Sequence, residues 1–181
     1  KLSPAEVATR LTGTWVLNKE LTSGFSAPGR RGGGGGRGGG LRMAMASAPA
    51  FAQGRQSSAS DASDLSPAEL ASRAAVREML QLAEVITINA TPEQVVFEDA
   101  RGSRSYKLDG KTFKVTVAGA EVSTKSRWDN AVLKQEFSTT DNTLTQTWDV
   151  DADGRLVLVA KLESLRMRTP DQKAVFDRKT P

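Results

Sequence analysis

Histidine and cysteine are both absent from the 181 residues. Imidazole acid–base chemistry, thiol nucleophiles, thiolate metal sites and disulfides are therefore outside this chain's repertoire. Catalysis is left to carboxylates, Lys, Ser/Thr and the single tyrosine, Tyr106. Few hydrolase or transferase mechanisms are built from these groups without a metal or a recognisable local motif. No such motif is present, so the expectation is a non-catalytic protein without a cofactor. A catalytic carboxylate set would have to come from residues such as Glu98, Asp99 and Glu136, which nothing in the pattern brings together.

One acidic run has metal-ligand spacing. Asp149-Val150-Asp151-Ala152-Asp153-Gly154 matches the first half of a calcium loop, with oxygen donors at alternate positions and a glycine for the sharp turn. Ala160 stands where such a loop needs a bidentate Glu, and a strand pattern follows instead of a helix. The expectation is a hairpin turn with Asp-Gly at its tip rather than a Ca²⁺ site at Asp149, Asp151 and Asp153.

The basic charge is confined to one stretch. Residues 21–60 hold five arginines (Arg30, Arg31, Arg37, Arg42 and Arg55) and no acid, whereas the rest of the chain carries 20 basic against 21 acidic residues. The same stretch has 11 of the 16 glycines. Glycine loses the most backbone entropy on ordering, so 21–64 reads as a flexible Gly/Arg/Ala-rich insertion. Its Arg-Gly tract resembles phosphate-tracking segments of RNA-binding proteins but lacks interleaved aromatic residues for base stacking. Arg30, Arg31, Arg37 and Arg42 stand instead as a partner-binding arm that orders on a protein surface.

The elements that must position any site come in two kinds. Leu-Ser-Pro-Ala-Glu occurs at 2–6 and again at 65–69. Each copy is a helix start, with Ser as N-cap, Pro at the first helical position and Glu closing a capping box. They predict a short helix ending near Leu11 and a longer one over 66–83, with Val76, Met79, Leu80 and Ala83 as its apolar stripe. From Glu84 onward the period is two: Phe113, Val115, Val117; Leu144, Gln146, Trp148, Val150; Leu156, Leu158, Ala160, Leu162. Turn pairs such as Asp109-Gly110, Asp141-Asn142 and Asp153-Gly154 separate the runs. About nine strands are expected there, plus one at Thr14–Lys19. The fold class is mainly β: one domain over 1–181, an antiparallel up-and-down barrel of about ten strands closed at one end by its helices.

Gly13-Thr14-Trp15-Val16-Leu17 after a short helix resembles the first-strand Gly-x-Trp motif of the calycins, the lipocalins and fatty-acid-binding proteins. A helical insertion after the first strand, followed by nine meander strands, is similar to the fatty-acid-binding-protein plan. The opening also resembles exported bacterial proteins of unknown function. By this resemblance Arg178, in Val175-Phe176-Asp177-Arg178, packs over Trp15 at the barrel base as a structural device. The departures are the Gly/Arg-rich insertion and the lack of an Arg-x-Tyr carboxylate clamp near the end.

Inside such a barrel, alternation puts Gln135 and Gln146 on one face with Leu133, Phe137, Leu144 and Trp148, and places Trp128 inward. These polar groups in an apolar interior mark either a ligand cavity or satisfied core amides. Trp128, Gln135, Phe137, Gln146 and Trp148 are the expected ligand-contacting set. The expected function is binding, of an apolar small molecule in the barrel or of a protein partner. An accessory subunit of a larger exported assembly, docked through the arm, is the alternative; nucleic-acid binding through the Arg/Gly tract is the third. No apolar run reaches the ~18 residues that span a bilayer, so an integral membrane protein is not expected. The chain opens on Lys1 rather than Met, as after a cleaved signal or trimming, and it is free of cysteine. Export to a periplasmic or extracellular compartment is the expectation.

Overall fold

The structure is a computed structural model that describes residues 2–25, 65–164 and 170–179. Helix α1 (Pro4–Leu11) leads into strand β1 (Gly13–Ser23); helix α2 (Pro67–Met79) precedes nine further strands. These are β2 (Val85–Ala90), β3 (Gln94–Asp99), β4 (Gly102–Lys107), β5 (Asp109–Val117), β6 (Ala120–Asp129), β7 (Val132–Ser138), β8 (Asn142–Val150), β9 (Leu156–Ser164) and β10 (Gln172–Arg178).

Every strand pairs antiparallel with its neighbour in one ten-stranded sheet, ordered β4-β3-β2-β1-β10-β9-β8-β7-β6-β5. Pairing of β1 with β10 rolls the meander into a barrel. The barrel is nearly closed: among the described residues β4 and β5 are the two ends of the sheet, consecutive through Leu108 and not paired with each other. Alternation is strict along β7 and β8. Along β8, Asn142, Leu144, Gln146, Trp148 and Val150 are all buried, and the residues between them face outward.

Both helices start on the expected capping boxes. Ser3 Oγ accepts the Glu6 N–H while Glu6 accepts the Ser3 N–H at 2.7 Å; Ser66 and Glu69 repeat the arrangement. These backbone and side-chain hydrogen bonds from Ser3 lower the Glu6 pKa. The second helix differs from expectation in three ways. It stops at Met79, with Leu80 as C-cap, instead of continuing to Ala83. Its last turn tightens, Gln81 N–H bonding Glu78 O at 3.2 Å, and side chains from the barrel take the terminal carbonyls. Its fully buried face is Ser72, Ala75 and Val76, one turn earlier than the expected stripe.

Nor do the two helices share one end of the barrel. Along α2, Ser72 Oγ accepts from Asn142 Nδ2 at 3.0 Å and meets Thr139 Oγ1 at 2.6 Å, at the start of β8. Along α1, Arg10 donates to Val150 O, at the far end of the same strand. At the rise of a strand those ends lie roughly 26 Å apart. The repeated start thus serves helices on opposite mouths, because what each packs on is decided by the strands that follow.

At the α1 mouth Trp15 is wholly buried, its Nε1–H bonded to Leu11 O at 3.0 Å. The Arg178 guanidinium lies 4.4 Å from the Trp15 ring and donates to Arg10 O (2.8 Å) and Thr12 O (3.2 Å). Trp15 and Arg178 are direct partners in the β1–β10 ladder. Between them they satisfy carbonyls at the α1 C-terminus that a helix cannot satisfy internally. Gly13 is required here: its φ is +151°, and a Cβ would sit 2.8 Å from Arg178 Nη1.

Candidate ligand-binding site

Strands β7 and β8 build the inner wall. Their register sets Leu133 opposite Trp148, Gln135 opposite Gln146 and Phe137 opposite Leu144, all pointing inward. Five rings then run in contact through the barrel. Phe176 lies 6.4 Å from Trp148, which lies 5.1 Å from Phe97; Phe97 meets Tyr106 edge-on at 6.0 Å, and Tyr106 meets Phe137 edge-on at 5.9 Å. Offset and edge-on geometry of this kind is favourable beyond simple burial.

These rings, with Ile86 and Leu158, line a partly open cavity between the two halves of the core. The space open to the centre of a water-sized sphere is about 120 Å³. Residues at the end of α2, Met79, Leu82 and Ala83, line one side, and Val115 and Val117 of β5 another.

The buried amides are held by hydrogen bonds within the barrel. Trp148 Nε1–H donates to Gln135 Oε1 at 3.1 Å, and Gln135 Nε2 donates to Ser126 Oγ at 3.2 Å. Gln146 Nε2 donates to Met79 O at 3.1 Å, which ties the end of α2 to the cavity wall.

At the rim, the β3–β4 turn sets three charged groups together. Asp99 accepts from Arg101 Nη2 at 2.8 Å and from Arg104 Nη2, while Arg101 Nη1 reaches Glu78 O at 3.4 Å. Burial alone would raise the Asp99 pKa. Hydrogen bonds from the Arg101 side chain and backbone, with the charges of Arg104 and Arg101, outweigh it and hold the carboxyl below its usual range. Tyr106 shifts the other way: desolvation raises its phenol pKa, and the two nearby guanidiniums oppose this without cancelling it.

Gln135, Phe137, Gln146 and Trp148 of the expected set line this cavity, but Trp128 does not. Trp128 packs against the core near the end of β6, where its Nε1–H bonds Pro92 O in the β2–β3 turn at 2.9 Å. Alternation reports the face of a strand and not the depth along the barrel axis. Arg101, Arg104 and Phe97, outside the expected set, also line the cavity. Phe97 was legible, since it lies between Val95 and Asp99 on an alternating strand; the two arginines were not, because Gly-Ser-Arg-Ser reads as an exposed turn.

The acidic run is a turn. Asp151 accepts from Asp153 N at 3.0 Å and Arg155 N at 2.9 Å, Asp149 accepts from Val150 N at 2.7 Å, and Asp153 pairs with Arg155 at 3.5 Å. Asp149, Asp151 and Asp153 are therefore not brought onto one point, and no group of acids able to hold a metal ion converges among the described residues. Asp99 faces Arg101 and Arg104, whereas Glu98 is exposed and Glu136 pairs with Lys134 at 3.1 Å. These three carboxylates do not form a site. Arg30, Arg31, Arg37 and Arg42 lie outside the described residues. No helix among the described residues is long and apolar enough to cross a membrane.

No family model matches the chain, and no curated protein matches it. Among solved structures, Echinococcus granulosus fatty-acid-binding protein 1 is similar at 14% identity and TM-score 0.51, covering 95% of this chain and 99% of its own. Apo lipid binding protein 8 of Caenorhabditis elegans is similar at 10% identity and TM-score 0.53, covering 94% and 96%. A fatty acid transporter, REP1-NXSQ, gives 12% identity and TM-score 0.52 over 96% and 98%. The chain thus shares the fold of these proteins, and its own version is a nearly closed barrel of ten antiparallel strands with a helix after the first.

Proposed function

We propose that this protein is a non-catalytic carrier that holds an apolar small molecule inside its barrel. The observation that carries the reading is the aromatic-lined cavity itself. Five contiguous rings surround about 120 Å³ of open space that the core does not fill. Packed interiors normally leave few voids larger than a water molecule, so open space beside a few oriented amides is the ordinary form of a ligand site. The structural neighbours named as fatty-acid-binding, lipid-binding and fatty-acid-transport proteins support the same reading. Export belongs to this proposal, since a cysteine-free chain is immune to wrong disulfides in an oxidising compartment.

Native mass spectrometry of the protein purified from its own source, at graded activation, tests it. A small molecule of discrete mass on the monomer, lost as activation rises, is the expected result. Release from a larger complex with no such adduct would overturn the carrier reading in favour of an assembly subunit. Fractionation of the source cells tests export separately.

A further inference from the structure

Strand β5 contradicts its own register. Phe113, Val115 and Val117 pair with Thr124, Val122 and Ala120, whose side chains point into the barrel and are buried. Residues directly opposite in an antiparallel ladder share a face, so the β5 trio faces inward too. Yet Phe113 is 38% exposed and Val115 39%, against 4% for Thr124 and 0% for Val122 one strand away. The difference is the missing neighbour: among the described residues nothing pairs with β5 on its far side, and β4 pairs only with β3.

The resulting slit is continuous with the cavity. Val115 and Val117 on its β5 side, and Arg104 and Tyr106 on its β4 side, all line that space. Across the slit, Lys107 Nζ lies 5.9 Å from the Phe113 ring. The cavity alone is small, since a dry apolar cavity of about 150 Å³ holds a single benzene ring. A longer occupant must leave the barrel somewhere. The slit offers an apolar strip, Phe113 and Val115, directly at its exit.

We propose that the β4–β5 slit is an outer half of the binding site: an elongated apolar ligand fills the cavity with one end and lays the remainder along Phe113 and Val115. The occupant is the ligand's own chain, argued from continuity of the strip with the cavity. This rests on the carrier reading and adds to it a determinant of chain length.

The test is a series of neutral straight-chain alcohols, hexanol to dodecanol, titrated by calorimetry against the wild type, Phe113→Ser and Val115→Thr. Phe113 does not line the cavity and Val115→Thr keeps side-chain shape, so both variants are expected to fold, checked by their melting temperatures. Each buried methylene multiplies affinity up to about fourfold, and one on a half-exposed strip about twofold. The wild type should keep gaining at about twofold per carbon through dodecanol. Phe113→Ser should match it for hexanol and flatten for the longer alcohols, with dodecanol weakened about tenfold; Val115→Thr, whose side chain also lines the cavity, should weaken hexanol as well and flatten less steeply. Identical length dependence in all three proteins, or a wild-type plateau at the short end, would overturn the slit while leaving the carrier. Failure of every alcohol to bind would instead sink the carrier reading, and the slit with it.

Discussion

Replacing Gly13 by Ala should destabilise the barrel mainly through a residue at the other end of the sequence. The new Cβ lands 2.8 Å from Arg178 Nη1, and at φ +151° the backbone is itself unfavourable for any side chain. Backbone strain of this kind costs about 1 kcal/mol or more. Displacing the guanidinium forfeits its stack on Trp15, worth about 1 kcal/mol, and two hydrogen bonds to carbonyls at the α1 terminus. Those bonds together are worth about 1 kcal/mol once discounted for solvent exposure. Gly13→Ala should then cost about 3 kcal/mol and Arg178→Ala about 2 kcal/mol. The double variant should cost only about 3 kcal/mol, because with Arg178 gone the Cβ meets nothing but its own backbone strain. Urea unfolding followed by tryptophan fluorescence measures all four corners of the cycle. A coupling of about 2 kcal/mol is expected; additivity within about 0.5 kcal/mol would refute the reasoning. Neither residue lines the cavity, so apolar-ligand affinity should be unchanged in whichever variants fold.

Three further outcomes follow from particular side chains. Asp99 has a folded-state pKa below its unfolded value, so it contributes stability above the unfolded pKa that is lost as pH falls through the folded one. Asp99→Asn should be less stable at neutral pH, with Arg101 and Arg104 left facing each other. It should lose less melting temperature than the wild type on acidification below about pH 4. Tyr106 is the only tyrosine, so phenolate absorbance reports it alone. Its midpoint in the folded protein should lie above the ordinary phenol value of 10.0 and return towards it in denaturant. The stability it contributes is present below the unfolded-state pKa and lost as pH rises through the folded one. Ala118 and Gly119 form the two-residue β5–β6 turn with φ of +47° and +80°. Ala118→Asn should stabilise by about 0.5–1 kcal/mol, read as a higher urea midpoint at unchanged slope, because asparagine tolerates that conformation far better than alanine.

Much of the barrel is legible in single residues. Both Ser-Pro-Ala-Glu starts forecast helices that form, and the alternation through Leu144, Gln146, Trp148 and Val150 forecasts which side chains point inward. Local patterns suffice along β8, which has a partner on both sides. They fail where the outcome depends on something distant. The end of α2 is set by Gln146, 67 residues away, whose amide takes the Met79 carbonyl. Phe113 and Val115 carry a core pattern and are half exposed, because the sheet stops beside them. Arg101 and Arg104 meet at the cavity rim on Asp99, the last residue of β3, which pairs with both. Charge pairs across a turn leave no periodic trace.

The pairing of β1 with β10 carries a cost in time. Arg178 bonds the carbonyl of Thr12 across 166 residues, and all of the intervening chain must be made before Trp15 meets its ladder partner. At roughly 5–20 residues per second of synthesis, β1 waits on the order of 10–30 s with one edge unpaired. During that interval the nascent chain presents Trp15 and Leu17 beside an open strand edge, the feature that invites wrong pairing with other chains. Whatever shields the growing polypeptide has to cover its first strand for longest and can release it only when the last strand arrives.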